Sequence, residues 1–326
     1  MRKITIITGA SSGMGAEFAR QIADNTESSE IWLFARNKEK LSKLKIEIGK
    51  TENEKLKTEN SAEADESEDA QNEAEESENE AAETENEAEI QEKVSESLKN
   101  ASGEPLEIKV VPMNLSGKEG VALFKTFLAT EKISGGFEID MLVNNAGFGT
   151  YGEFAETPLE KELEMIDLNC TALTGLCGAV LPYMHEGSSI INVASLAAFL
   201  PLGNFAVYAA TKAYVLSFTV ALAAELKDKG IKVSALCPGS VSTDFANVAS
   251  NGARKEVLNG KDPVAVVAHC LKKAKKGKKI ILWAKKWKFT AFMSRFIGHY
   301  MGARYTFKYN KRPSEWHEKR NSVPKR

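Results

Sequence analysis

The chain has 326 residues, 43% of them hydrophobic, which is enough for one large α/β domain with additions. Its formal net charge of -2 conceals an acidic block, with sixteen Asp or Glu and no Lys or Arg in residues 59–92, and a basic tail, with eighteen Lys or Arg in residues 271–326. The apolar segments are too short for a signal-peptide core or for a span of about 18 residues, so no membrane-spanning helix is expected.

The four cysteines show neither metal-ligand nor redox spacing; they are Cys170, Cys177, Cys237 and Cys270. Reduced thiols of this kind are typical of the cytosol. We therefore predict no metal site and a cytoplasmic location.

Short β-branched or apolar runs recur along the chain and predict the strands of a sheet. The predicted strands are Ile4–Thr8, Ile31–Ala35, Glu107–Val111, Met141–Asn144, Ser189–Val193, Lys232–Leu236 and Lys279–Trp283. Helical patterns, such as Lys38–Ile48, separate nearly all of them. This alternation predicts an α/β fold, a doubly wound parallel sheet of Rossmann type with helices on both faces. One domain is expected over residues 1–284, followed by a C-terminal extension over residues 285–326.

Residues 50–103 break the alternation with a sequence rich in Glu, Asn, Ala and Ser. The block Asn72–Glu92 repeats every seven residues, yet only Ala74, Ala81 and Ala88 recur as apolar, which makes a poor coiled-coil seam. We interpret the segment as an acidic, low-complexity insert that is disordered or transiently helical. Because it follows a helix and precedes a strand, we expect it at the edge of the sheet remote from ligands.

A glycine-rich turn, Thr8–Gly15, joins the first predicted strand to the first helix. Its glycines let the backbone approach a pyrophosphate, and the following helix offers free N–H groups. The predicted cofactor contacts in this turn are Gly9, Ser11, Ser12, Gly13, Met14 and Gly15. At the end of the second strand, Arg36 stands where an acidic residue would bind the ribose hydroxyls, and its guanidinium could pair with a 2′-phosphate. This favours NADP(H), with NAD(H) as the alternative cofactor.

Tyr208 and Lys212 are spaced i and i+4 at the start of a predicted long helix, which puts both side chains on one face. A free tyrosine has a pKa of about 10, and a neighbouring ammonium favours the phenolate, so we expect Lys212 to lower the pKa of Tyr208. Ser195 follows an apolar strand, where its hydroxyl could hydrogen-bond a substrate oxygen.

Taken in order, these motifs resemble those of the short-chain dehydrogenase/reductase family. The matching motifs are Thr8–Gly15, Asn144-Asn145-Ala146-Gly147, Asn169, Ser195, Tyr208 with Lys212, and Pro238-Gly239 with Thr243. The resemblance covers the chain from Arg2 to about Trp283, apart from the acidic insert.

The resemblance implies a role for each matching residue. Tyr208 would be the general acid in carbonyl reduction and the base in alcohol oxidation, and Ser195 would orient the substrate oxygen. Lys212 would bind the nicotinamide ribose, and Asn169 would hold a water that links Lys212 to solvent. The other implied cofactor contacts are Asn145, Ala146, Gly147, Pro238, Gly239, Val241 and Thr243.

One position departs from the family pattern, which often has an aspartate near the adenine after the third strand. This chain has Asn114 followed by Leu115, and Asn114 can still donate and accept hydrogen bonds, so we expect both residues at the adenine. The expected function is NADP(H)-dependent hydride transfer between nicotinamide and a carbonyl or secondary alcohol. A hydroxysteroid-type alcohol dehydrogenase and a cofactor-sensing interaction protein are the alternatives.

The C-terminal extension combines basic residues with an apolar stripe. The stripe recurs at helical spacing in Phe289, Phe292, Met293, Phe296, Ile297 and Tyr300, flanked by Lys285, Lys286, Lys288 and Arg295. We predict one helix over Lys285–Met301 that places the stripe against an apolar partner. That partner is the chain's own cleft, a second subunit of a homo-oligomer, or an anionic membrane surface to which the protein would be peripheral. Each favours a lipophilic substrate. Nucleic-acid binding is not expected, because no recognised module is present.

Overall fold

One parallel sheet forms the centre of the molecule. The computed structural model describes residues 1–61, 98–255, 257 and 259–316, with the backbone alone for residues 52–61. The strands in this part of the chain are β1 (Arg2–Thr8), β2 (Glu30–Ala35), β3 (Glu107–Pro112), β4 (Phe137–Asn144), β5 (Met184–Val193), β6 (Lys232–Leu236) and β7 (Ile280–Ile281). Their order in the sheet is β3-β2-β1-β4-β5-β6-β7. The chain adds β2 and β3 on one side of β1, and then returns to add β4 to β7 on the other side. Ligands of open parallel sheets bind beside such a reversal, at the carboxyl ends of the strands.

Helices connect the strands and cover both faces of the sheet. They are α1 (Gly13–Ala23), α2 (Lys38–Ser61), α3 (Gly117–Ser134), α4 (Leu159–Ile166), α5 (Leu173–Val180), α6 (Ala206–Glu225), α7 (Phe245–Ala249), α8 (Pro263–Lys275), α9 (Lys285–Met293) and α10 (His299–Tyr309). A π-helical turn, Asp167–Ala172, joins α4 to α5.

An apolar core lies on each side of the sheet. Phe18 of α1 and Val266 of α8 pack on one face, and Phe124 of α3 packs on the other. Neighbouring strand residues alternate between the two cores, so Ile7 faces the first and Ile6 the second. Strands buried on both faces are therefore apolar throughout, which explains the continuous apolar runs in the sequence. The predicted doubly wound parallel sheet is confirmed.

The ends of the acidic insert lie further inside the segment than predicted. Helix α2 continues to Ser61, past the expected boundary at residue 50, because Glu, Lys and Leu are strong helix formers. At the other end, Leu98 is buried in the core, and the side chain of Asn100 accepts hydrogen bonds from the backbone of Ser102 and Glu104 at 3.0 and 2.9 Å. The heptads of Asn72–Glu92 lie outside the described residues.

The prediction of one helix over Lys285–Met301 is wrong. The chain instead forms α9 and α10, separated at Ser294–Gly298, where a glycine lowers the stability of a continuous helix. The break lets α10 turn back and pack Gly302 closely against Leu200. On α9 the buried residues are Trp287 and Ala291. Most of the predicted aromatic stripe is exposed, with Phe289 65%, Phe292 55%, Phe296 69% and Tyr300 81% exposed, whereas Met293 is half-buried.

Two helical stretches in the described part of the chain, Leu159–Tyr183 and Ala206–Glu225, have the length and hydropathy of a membrane span. The expectation that the chain has no membrane-spanning helix stays a prediction, because length and composition alone do not show a span. Both stretches contribute to the core on one face of the sheet, through residues such as Leu176 and Val215. Core helices of such sheets share this composition, so the finding is weak evidence for a membrane span.

Candidate active site

A cavity of 1980 Å³ opens at the carboxyl ends of the strands, and its walls include segments that follow β1 through β6. It is bounded on one side by the glycine-rich turn and on another by the C-terminal extension. Nearly all the predicted site residues line it. The two exceptions are Gly15 and Asn169, which are buried behind the lining.

The backbone of the glycine-rich turn packs so closely on its neighbours that Gly9 and Gly15 leave no room for a side chain. Gly9 has a φ of +65°, and a Cβ there would lie 2.8 Å from the Cα of Ala146. A Cβ on Gly15 would overlap the carbonyl oxygen of Gly9. Helix α1 begins at Gly13, so its free N–H groups lie at the cavity, as a pyrophosphate requires. The turn therefore fits the diphosphate of a dinucleotide.

The segment after β4 supports this turn. The Asn145 side-chain amide donates to the carbonyl oxygens of Thr8 and Gly9 at 3.1 and 3.2 Å. The backbone N–H groups of Asn145 and Ala146 donate to the Thr8 hydroxyl at 3.0 and 3.1 Å. These bonds hold the ends of β1 and β4 together, so Asn145 positions the turn while Gly147 lines the cavity.

A positively charged corner lies where β2 ends. Arg36 is exposed, lines the cavity and forms no ion pair within the described residues. Lys40, one turn into α2, lines the same corner, and the Asn37 side chain caps this helix by accepting from the Lys40 backbone at 2.8 Å. Asn114 and Leu115 line the wall beyond β3. Sequence reasoning missed Lys40, although its i+4 spacing from Arg36 was a usable signal.

Ser195, Tyr208 and Lys212 converge in the cavity and are all more than nine-tenths buried. Ser195 lies just beyond β5, where its Oγ accepts from the backbone of Ala197 at 3.1 Å. Tyr208 and Lys212 lie one turn apart on α6, with the Lys212 Nζ 5.7 Å from the centre of the Tyr208 ring. That Nζ donates to the carbonyl of Val193 at 2.8 Å, which fixes the lysine against the end of β5.

Asn169 occupies the π-helical turn, a local widening that is frequent at functional sites. Its amide donates to the carbonyl of Phe148 at 2.9 Å and to the hydroxyl of Thr211 at 3.1 Å, and its oxygen accepts from the backbone of Phe148 at 3.2 Å. Asn169 therefore joins α6 to the segment after β4. Its predicted water-holding role stays a prediction.

Burial shifts the pKa values of two of the candidate catalytic groups. Burial lowers the pKa of Lys212 to about 8, because the ammonium is the charged form. Burial also raises the pKa of Tyr208, and it outweighs the opposing effects of the Ser195 hydrogen bond and the Arg312 charge. The net direction is opposite to the expectation that Lys212 would lower the pKa of Tyr208. The buried phenol is therefore protonated at neutral pH.

Aromatic rings form the wall beside Tyr208. The ring of Phe205 stacks on it at 4.2 Å between centroids, and Tyr151 packs on Phe205 at 4.7 Å. The guanidinium of Arg312 lies 4.7 Å above the Tyr151 ring, and that of Arg254 lies at 6.0 Å. Sequence reasoning missed these four residues because only tertiary packing brings the distant segments together.

The predicted cofactor loop follows β6, where Pro238, Gly239, Val241 and Thr243 line the cavity. The carbonyl of Pro238 accepts from the backbone of Leu196 at 2.8 Å, which ties the loop to the Ser195 segment. Trp287 of α9 packs so closely on Gly239 that a Cβ there would overlap its indole. The extension is thus part of the wall on this side.

The fold and this site define a dinucleotide-binding protein with a Ser–Tyr–Lys set. A family model described as short chain dehydrogenase matches residues 70–253, more than half of the chain. The chain belongs to the short-chain dehydrogenase family. The glycine-rich turn and Arg36 precede the matched range.

Two bacterial relatives are both described as uncharacterized oxidoreductases. An uncharacterized oxidoreductase of Staphylococcus epidermidis is 37% identical over 121 residues, which cover 36% of this chain and 53% of that protein. The match thus spans about half the length of that relative. An uncharacterized oxidoreductase of Staphylococcus aureus is 27% identical over 272 residues, which cover 82% of this chain and 90% of the relative.

Solved structures share the fold at low identity. A short-chain dehydrogenase from Sphingobium yanoikuyae in complex with NADPH has a TM-score of 0.62 at 22% identity, with 91% of this chain and 94% of that chain covered. A short-chain dehydrogenase/reductase from Burkholderia phymatum in complex with NAD has a TM-score of 0.62 at 18% identity, with 96% and 97% covered.

Proposed function

We propose that this protein reduces a carbonyl compound to a secondary alcohol with NADP(H). The observation that carries the proposal is the convergence of Ser195, Tyr208 and Lys212 with the glycine-rich turn in one cavity. A lone Tyr-x-x-x-Lys spacing is common on helices. A buried set that shares a cavity with a phosphate-binding turn combines the two requirements of hydride chemistry, which are cofactor binding and a proton source.

The residues of the cavity suit a dinucleotide along its length. Arg36 and Asn114 would hold the adenosine end, Gly9–Gly15 the diphosphate, and Lys212 the nicotinamide ribose, with Pro238–Thr243 at the amide. When bound, the cofactor supplies the hydride that reduces the carbonyl carbon. Ser195 would hydrogen-bond the carbonyl oxygen, and Tyr208 would donate its phenolic proton to that oxygen as negative charge develops on it.

The proton on Tyr208 is the one that carbonyl reduction consumes. A tyrosine is protonated at neutral pH even at its ordinary pKa of about 10, and burial raises the pKa of Tyr208 further. Oxidation would need the phenolate, so a hydroxysteroid-type alcohol dehydrogenase is the second candidate and would favour higher pH.

The charge at the end of β2 supports a preference for NADP(H). Arg36 and Lys40 line the corner of the cavity that would receive the adenosine ribose, and Arg36 forms no ion pair within the described residues. A 2′-phosphate would pair with both cations. NAD(H) lacks that phosphate and would leave them unpaired. The similar solved structures contain either NADPH or NAD, so the preference for NADP(H) is argued from Arg36 and Lys40 alone.

The substrate end of the cavity suits a lipophilic carbonyl compound. The rings of Phe205 and Phe245 pack on Tyr208, and the lining of the cavity also includes the apolar residues Leu196, Phe199, Leu200, Leu202, Phe289, Met293 and Ile297. Arg312 and Arg254, stacked at Tyr151, would contact a polar end of the substrate. The extension covers this end through Thr306, which accepts from the backbone of Gly203 at 2.9 Å. Cover of the cleft by the extension therefore needs no second subunit.

The proposed location is cytoplasmic and peripheral to a membrane.

A cofactor-sensing interaction protein is the competing class of function. A screen of NADPH consumption over ketones, aldehydes, 3-oxoacyl thioesters and oxosteroids, run in parallel with NADH, tests the function. We expect turnover of a lipophilic ketone with NADPH and slower turnover with NADH. Tight NADPH binding without turnover of any carbonyl class would favour the sensor instead.

A further inference from the structure

The outer face of the extension exposes a run of large apolar side chains. This aromatic patch consists of Phe289, Phe292, Phe296, Ile297, Tyr300 and Met301, which are 40 to 81% exposed. Phe292 and Phe296 contact each other edge to face at 5.3 Å, so part of the patch is preformed. Six large apolar side chains exposed within thirteen residues are unusual on a soluble monomer, where large apolar patches mark interaction sites.

The charge around the aromatic patch identifies its partner. Residues 263–314 contain fourteen Lys or Arg and no Asp or Glu. Lys285, Lys286, Lys288 and Arg295 lie within or beside the patch, and none of the four forms an ion pair within the described residues. Aromatic rings among unpaired cations match the boundary between headgroups and acyl chains of an anionic bilayer.

We propose that the aromatic patch docks α9 and α10 on an anionic lipid surface. Lysine and arginine side chains would meet the headgroups, and the rings would enter the boundary with the acyl chains. A second copy of the chain is the weaker partner, because a two-fold contact through this face would bring two basic surfaces together with no acid from residues 263–314 to pair with them. Such like charges repel when they approach closely.

The position of the aromatic patch gives the docking a consequence for the site. Phe289 and Ile297 belong to the patch and also line the cavity. A bilayer below the patch would therefore lie next to the cavity, and a lipophilic substrate would reach Tyr208 without crossing bulk water. This consequence rests on the proposed function, whereas docking itself does not.

Sedimentation of the full chain with vesicles tests the proposal without turnover. Vesicles of phosphatidylcholine alone are compared with vesicles that also contain phosphatidylserine, at low and high salt. We expect binding only with phosphatidylserine, weakened by salt because the Debye length shortens. The double variant Phe292→Ser with Phe296→Ser should lower the partition coefficient about tenfold or more. Lys288→Glu with Arg295→Glu should lower it about 30-fold or more.

Matched controls separate the patch from general surface properties. Leu123→Ser with Ile133→Ser changes two exposed apolar residues on α3, and Lys227→Glu with Lys229→Glu reverses two exposed cations after α6. Both controls should bind vesicles like the unchanged chain. A cofactor-induced rise in melting temperature verifies that each variant is folded. Absence of vesicle binding, equal binding by the patch variants, or a dimer that these variants disrupt without any lipid binding would overturn the proposal.

Discussion

The hydroxyl of Tyr208 offers the sharpest test of the proposed chemistry. Tyr208→Phe keeps the ring that stacks on Phe205 at 4.2 Å, so the apolar packing is retained. It removes the proton donor and whatever hydrogen bond the Tyr208 hydroxyl makes with its nearest polar neighbour, Ser195. One hydrogen bond contributes about 0.5–1.5 kcal/mol, so the melting temperature should fall by only a few degrees. Loss of a positioned general acid should lower kcat by about 10²–10⁴-fold.

The assay combines NADPH consumption on a substrate found in the screen with cofactor titration by intrinsic fluorescence. Tyr214→Phe is the matched control. Tyr214 lies on the same helix but outside the cavity lining, and its hydroxyl forms a hydrogen bond with that of Thr174 at 2.8 Å. We expect full activity for Tyr214→Phe, and lost activity with nearly unchanged NADPH affinity for Tyr208→Phe. If Tyr208→Phe retained substantial activity, the assignment of Tyr208 as proton donor would be wrong.

Three further predictions follow from the site and the insert. Arg36→Asp should lower the NADPH-to-NADH affinity ratio by about 10–150-fold, since a charged phosphate contact is lost, while Lys38→Glu outside the cavity should not; equal ratios in both variants would contradict the cofactor assignment. Burial lowers the pKa of Lys212 to about 8, below its ordinary 10.5, so the unfolded chain binds more protons between these values and stability rises with pH across that window. The melting temperature of Lys212→Met relative to the unchanged chain should therefore fall from pH 8 toward pH 10.5, and a constant difference would disprove the buried, shifted lysine. Deletion of residues 62–92 should preserve folding and the thermal shift caused by NADPH, because this acidic sequence has little apolar surface to bury; loss of that shift would show that the insert supports the site.

The sequence was most informative where one local rule decides the structure. Buried strands such as Ile4–Thr8 are continuous β-branched runs, and the turn after them needs glycine, so both features are visible without tertiary contacts. The i,i+4 spacing of Tyr208 and Lys212 holds on any helix. These elements were predicted correctly, apart from boundary differences of a few residues.

Features that depend on tertiary contacts were missed or misjudged. Leu98 is anchored by the core, and nothing in its neighbouring acidic sequence indicates that. The pKa of Tyr208 depends on how deeply α6 is buried, which its spacing from Lys212 does not reveal. The break before α10 combines a weak local signal, Gly298, with the packing of Gly302 on Leu200. Propensity alone could not choose between one helix and two.

The contact between Trp287 and Gly239 couples the loop after β6, which would bind the cofactor, to the helix that carries the aromatic patch. Trp287 is buried against the loop that would close on the nicotinamide, and its helix carries Phe289 and Phe292 on the outside. If a bound cofactor changes the affinity of α9 for a lipid surface, then binding of α9 to that surface must change the affinity for the cofactor. The two changes in binding free energy are equal. The indole itself, in contact with Trp283 at 6.1 Å, is a built-in fluorophore for measuring that coupling in either direction.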